Sequence, residues 1–150
     1  MSKKKGVAKR RNEGLVIDSS VAIAWCFRDE QDTYSQSVLE ALVSEQAIVP
    51  DLWHLEVANT LIVCERRKRS TQANTVTWLG FFNSLPIAVD EETKAHAFGD
   101  ALSLAREHGL SVYDAAYLEL AMRLGLPLAT LDDKLKTAAE AVGVALYGVH

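Results

Sequence analysis

Four acids in this chain have the types and positions that suit metal chemistry. Asp18 ends the apolar run Leu15-Val16-Ile17, Asp132 follows Leu128-Ala129-Thr130 by one residue, Glu56 lies early in a long helical pattern, and Asp114 opens another after Ser111. Carboxylates drawn together repel one another unless a cation neutralises them, so convergence of the four implies a bound ion. An oxygen-only donor set selects a hard ion: Mg²⁺ takes few carboxylates and keeps several waters, and Mn²⁺ accepts the same set. One or two such ions hold a phosphodiester and lower the pKa of an attacking water, which makes the chemistry metal-assisted phosphodiester hydrolysis. In that scheme Asp18 is a direct ligand, and Asp114 and Asp132 are direct or water-mediated ligands. Glu56 orients a ligand water or acts as general base, and Ser20 and Thr130 hydrogen-bond metal waters or phosphate.

The same residues also have a purely local explanation. An Asp after a strand caps the next helix, Ser111 with Asp114 matches a capping box in which Asp replaces Glu or Gln, and Asp132-Asp133 suit a first helical turn. Glu56 resists this explanation. It sits between Leu55 and Val57 and shares a helix face with Leu52 and Asn59, which turns a carboxylate toward the interior or a cleft. Local pattern leaves both readings open.

The elements that must position these acids are short and alternating. Buried-type strands are expected at 15–17, 47–49, 87–89, 127–130 and 144–146, each a short apolar run bounded by turn or cap residues. Helices are expected over 21–27, 35–44, 51–69, 72–84, 92–107, 112–124 and 133–142. Gly109 supplies the stop between the fifth and sixth of them. Strands alternating with helices imply an α/β fold, here a five-stranded, mostly parallel sheet with helices on both faces. In such a sheet ligands gather at the carboxyl ends of the strands, where Asp18 and Asp132 fall.

Of the 150 residues, 49% are hydrophobic and 24% charged, a composition suited to one core and unlike disordered or membrane-spanning chains. No run approaches the roughly 20 apolar residues of a spanning helix, and no signal-peptide pattern follows the basic start, so a soluble, cytoplasmic protein is expected. Cys26 and Cys64 sit in apolar patterns without metal-ligand spacing and read as core thiols in a reducing compartment. The net charge of −4 hides an asymmetry, since six of 16 basic residues precede Glu13, the first acid. Residues 1–13 are therefore expected to be a basic flexible tail ahead of a single domain over 14–150, with phosphate binding or plain solvation as its two readings. Arg66, Arg67, Lys68 and Arg69 suit either the negative end of a helix dipole or contact with RNA. Trp25, Trp53 and Trp78 read as core or interface residues rather than base-stacking platforms. His54, His96, His108 and His150 are scattered without ligand spacing and read as surface or helix-end residues.

Taken together, the segments Val16-Ile17-Asp18-Ser19-Ser20-Val21-Ala22-Ile23-Ala24-Trp25, Leu55-Glu56-Val57-Ala58-Asn59-Thr60-Leu61, Val112-Tyr113-Asp114-Ala115-Ala116-Tyr117-Leu118-Glu119-Leu120-Ala121 and Leu128-Ala129-Thr130-Leu131-Asp132 with Lys134-Leu135 resemble the successive motifs of PIN-domain proteins. Among these, the resemblance points to VapC-type toxins of bacterial toxin-antitoxin pairs. It covers about residues 14–148 in order and spacing, and it is specific in combination rather than motif by motif. It implies a PIN-like fold and maps the family's acids onto Asp18, Glu56, Asp114 and Asp132. The strand-four hydroxyl maps onto Thr130, and the accompanying polar residues onto Ser20 and Asn59. It further implies Mg²⁺- or Mn²⁺-dependent cleavage of RNA, often tRNA or rRNA, inhibition of translation, a homodimer, and an antitoxin partner covering the active-site groove. The basic residues before Glu13 lie outside the family pattern.

Three alternatives compete. A haloacid-dehalogenase-type phosphatase expects a second Asp where this chain has Ser20. A receiver domain can use Asp90 but lacks its Lys after strand five. A non-catalytic PIN scaffold that binds RNA or protein does not require all four acids.

Overall fold

The computed structural model describes residues 14–27 and 33–148. The expected tail over 1–13, and His150, lie outside the described residues. Among the described residues, four strands, β1 (Leu15–Ile17), β2 (Ala47–Pro50), β3 (Ile87–Asp90) and β4 (Leu128–Ala129), form one parallel sheet in the order β3-β2-β1-β4. Leu15, Val16 and Ile17 are fully buried, as expected for a central strand of a parallel sheet covered on both faces. The helices are α1 (Ser19–Cys26), α2 (Thr33–Ala41), α3 (Trp53–Arg66), α4 (Gln72–Asn83), α5 (Thr93–His96), α6 (Leu102–His108), α7 (Val112–Leu124) and α8 (Asp133–Val142).

The strand order explains where a site can form. From β1 the chain winds outward through β2 and β3, then returns to the opposite side of β1 as β4. The winding direction therefore reverses between β1 and β4, and a crevice opens at their carboxyl ends. Asp18 follows one of these strands and Thr130 the other. In register, Ile17 lies beside Ala129, and the Asp18 amide donates to the Ala129 carbonyl at 3.2 Å.

Two expectations change. The fifth strand reduces to a single parallel bridge between Leu128 and Leu146, closed by hydrogen bonds from the Leu128 amide to the Ala145 carbonyl and from the Tyr147 amide to the Leu128 carbonyl, each 2.9 Å. With β4 only two residues long, little backbone remains for a further ladder. The helix expected over 92–107 is interrupted by a π-helical turn at Ala97–Ala101 that contains Gly99; such turns carry an extra residue inside a helix. On α3 the buried stripe is Trp53, Val57, Leu61 and Cys64, while Leu55 is 76% exposed. The large indole at Trp53 takes the core position, and Leu55, two residues on, turns outward.

Gly109 ends α6 at φ 66° as expected, with its amide bonded to the Ala105 carbonyl. After the turn, α7 runs across the sheet with every residue from Ala115 to Leu120 buried, Glu119 included. Trp25 and Trp53 are core residues, and Trp78 packs against Phe27 with ring centroids 5.1 Å apart. Cys26 and Cys64 are buried free thiols.

Candidate active site

Asp18 is at once a helix cap and the centre of a buried polar network. Its Oδ1 accepts from the Ser20 hydroxyl at 2.6 Å and from the Val21 amide at 3.3 Å, and its Oδ2 accepts from the Thr130 hydroxyl. Ser20 in turn accepts from the Leu131 amide at 3.0 Å, and Thr130 accepts from the Asp132 amide at 3.0 Å. The two hydroxyls thus tie the loop after β4 to the loop after β1. Asp18 is 5% exposed and Thr130 1%. Burial pushes the Asp18 carboxyl up to about 6, against the opposing pull of its hydrogen bonds, and the charge of Asp114 adds to the rise.

Asp132 caps α8 by accepting from the Leu135 amide at 2.9 Å, and Asp114 opens α7, where its amide donates to the Ser111 hydroxyl at 3.0 Å. The caps made by Asp18, Ser111 and Asp132 do not exclude a site, because they leave the carboxylates of Asp18, Asp114 and Asp132 at one rim. Asp114 is raised by desolvation and by the charge of Asp132, and is opposed by nearby Lys134. Glu56, half-buried on α3, is raised by desolvation and by the charge of Asp114. Asp114 thus sits within electrostatic reach of Asp18, Glu56 and Asp132.

The structure joins Ser20 and Thr130 to the acids but not Asn59, which is exposed one turn beyond Glu56. Of the basic cluster, Arg69 stacks over the Phe27 ring at 4.5 Å, while Arg66, Arg67 and Lys68 are exposed. The cluster begins ten residues after Glu56, or about 15 Å along the helix axis.

Two residues of this rim went unassigned in the sequence. Tyr117 is 1% exposed and donates its hydroxyl to Glu56 Oε1 at 2.5 Å; its signal was the three-residue spacing from Asp114, which puts both on one helix face. Lys134 stood in the fourth motif without a role.

His96 ends α5, in line with its reading as a surface or helix-end residue, but it is not isolated from other ligand-type groups. Its Nδ1 lies 3.7 Å from Glu119 and 3.9 Å from Asp100, and the ligand atoms of these three lie within 4.8 Å of one another. The four-residue spacing of His96 and Asp100 was visible in the sequence, whereas Glu119 arrives from another helix. A second cation is disfavoured here, because Arg123 already grips Glu119 at 2.7 and 3.1 Å and Asp90 at 2.7 and 3.1 Å. Asp90, the acid a receiver domain would need, is thereby held as a structural ion-pair partner.

The PIN domain family model matches residues 15–141. The chain is 33% identical over 125 residues to "Ribonuclease VapC3" of Pyrobaculum aerophilum, an alignment that covers 81% of this chain and 91% of the relative. In fold it is similar to the crystal structure of PAE2754 from Pyrobaculum aerophilum, with TM-score 0.62, 24% identity, and coverage of 85% of this chain and 80% of that one. It is also similar to VapBC2 from Rickettsia felis bound to a DNA fragment from their promoter, with TM-score 0.59, 14% identity, and coverage of 89% and 96%. With the parallel α/β sheet and the family model spanning most of the sequence, the chain belongs to the PIN domain family.

Proposed function

We propose that this protein is a Mg²⁺- or Mn²⁺-dependent endoribonuclease, the toxin of a toxin-antitoxin pair. The observation that carries the reading is the meeting of Asp18, Thr130 and Asp132 at the β1/β4 crevice, with Asp114 and Glu56 within electrostatic reach, in a chain 33% identical to a VapC ribonuclease.

The donor chemistry fits a hard divalent ion. The crevice offers carboxylate and hydroxyl oxygens, and three of its acids are raised by burial and mutual repulsion, a cost that a cation relieves. Asp18, Asp114 and Asp132 would hold the ion. When bound, it supplies positive charge to the scissile phosphate and makes an attacking water more acidic.

The chain's own residues do the rest. Ser20 and Thr130 fix both oxygens of Asp18, so that the buried carboxylate cannot rotate away. Thr130 also sets the loop that carries Asp132. Glu56 orients the attacking water or takes its proton. Lys134 neutralises part of the charge at Asp114 and lies where an RNA phosphate arrives, with Arg66, Arg67 and Lys68 holding strand farther along. Asn59 lines the approach beside Glu56.

The relatives support an antitoxin partner. Some structures similar in fold are toxin-antitoxin complexes, such as that from Klebsiella pneumoniae (TM-score 0.50, 16% identity). An antitoxin protein over the crevice, a homodimer, and inhibition of translation through tRNA or rRNA cleavage belong to this proposal. No helix among the described residues is long and apolar enough to cross a membrane, in keeping with a cytoplasmic toxin.

The test is cleavage of total cellular RNA and of matched single-stranded DNA by wild type and Asp18→Asn, each in EDTA, Mg²⁺ or Mn²⁺. Discrete RNA fragments that need metal and vanish in Asp18→Asn are expected. A wild type free of antitoxin that cuts nothing would replace the nuclease with a binding scaffold.

A further inference from the structure

Glu56 needs something to hold it. It lies in the first turn of α3, where Leu52 is the cap residue and no side chain caps the helix. Its neighbours His54 and Leu55 face solvent. A half-buried glutamate at such a place, repelled by Asp114, gains by swinging outward into water. Tyr117 opposes that swing. Its ring is fixed in the core of α7, one turn beyond Asp114, and its hydroxyl donates to Glu56 Oε1 at 2.5 Å. The phenol stands among carboxylates, since Glu56, Asp18 and Asp114 all act on it.

We infer that Tyr117 is the positioning residue of Glu56, a buried phenol that ties α3 to α7 through Oε1 and so fixes the carboxylate beside Asp114. The inference rests on the nuclease reading above. A phenol suits this task because it is a neutral donor: an arginine or lysine in its place would hold Glu56 equally well but would cancel the negative charge that gathers a cation. Tyr117 touches neither substrate nor ion in this scheme. It acts through Glu56 alone, by keeping a catalytic group in the one orientation from which it can address the attacking water.

If so, losing the hydroxyl should slow the chemical step while leaving substrate and metal binding in place. The experiment compares wild type, Tyr117→Phe, Glu56→Gln and the double variant on an oligoribonucleotide that the wild type cuts, with Mn²⁺ affinity of the metal-stripped proteins read by calorimetry. Expected for Tyr117→Phe are a kcat lower by about tenfold to hundredfold, the range for loss of a hydrogen bond to a charged group, with KM and the Mn²⁺ dissociation constant within about threefold of wild type, the ordinary scatter of such contributions. On the Glu56→Gln background the same change should cost little more, because residues that act as a unit are non-additive. Proton NMR of the wild type offers a readout free of activity and of the Phe variant's folding: a slowly exchanging Tyr117 hydroxyl resonance, lost in Glu56→Ala. An unchanged kcat in Tyr117→Phe, losses that multiply in the double variant, or absence of the resonance would each overturn the inference while leaving the nuclease intact. A wild type that cuts no RNA with either metal would overturn both.

Discussion

At Asp18 a single carboxylate caps α1, closes the β1/β4 crevice and faces the other acids, and its environment sets how the metal-free protein responds to pH. Burial holds its proton up to about 6, against 3.8 for the free group, and Glu56 and Asp114 shift in the same direction. Between those two values the folded state keeps a proton that the unfolded chain has released, so stability is greatest at the acid end and falls as pH rises through the window. Once ionised above about pH 6, Asp18 costs the fold on the order of 3 kcal/mol. In EDTA, Asp18→Asn should therefore melt above wild type at pH 7.5, and the gap should close toward pH 4, as thermal melts across that range would show. A wild type that is the more stable at pH 7.5 would mean that the Ser20 and Thr130 bonds outweigh burial.

Among the elements, α7 carries the acids and the core together. Asp114 and Tyr117 lie near its first turn, and Glu119 and Arg123 lie toward its end. Arg123 joins this end of α7 to the carboxyl end of β3 through Glu119 and Asp90, whose side chains are 6% and 10% exposed. Removing one partner of such a buried pair leaves the others charged and unmatched. Arg123→Met should cost about 3–5 kcal/mol in denaturant unfolding. It should leave kcat little changed below the melting temperature, since nine residues of helix separate it from Asp114, about 13 Å. A loss under 1 kcal/mol would mean that solvent reaches Asp90 and Glu119 in solution.

For the whole molecule, the outcome of folding is the gathering of like charges at one crevice. Such a fold carries an electrostatic cost that a ligand specific to the native state repays. Mg²⁺ or Mn²⁺ at 100 times its dissociation constant should stabilise the wild type by about 2.7 kcal/mol, read as a rise in melting temperature at pH 7.5. The rise should be lost in Asp18→Asn. An equal rise in that variant would place the responding ion elsewhere in the molecule.

The sequence by itself determined the α/β class and the parallel character of the sheet, because apolar runs and caps are local; it marked the four acids one by one and left open whether they act together. Gly109 and the burial of Trp25 and Trp53 were equally local. Tertiary structure alone decided that capping does not scatter the acids: Asp18 and Asp132 cap their helices, Ser111 caps α7, and Asp114 lies within electrostatic reach of the other three. It also decided the contacts made between elements distant in the chain: Thr130 on Asp18, Tyr117 on Glu56, and Arg123 on Glu119 and Asp90. The fifth strand shrank to one bridge because pairing depends on how much backbone β4 leaves exposed, which the residues of 144–146 do not encode. A hydrogen bond across 112 or 61 residues leaves no periodicity to read, and only the packing that brings its two ends together can specify it.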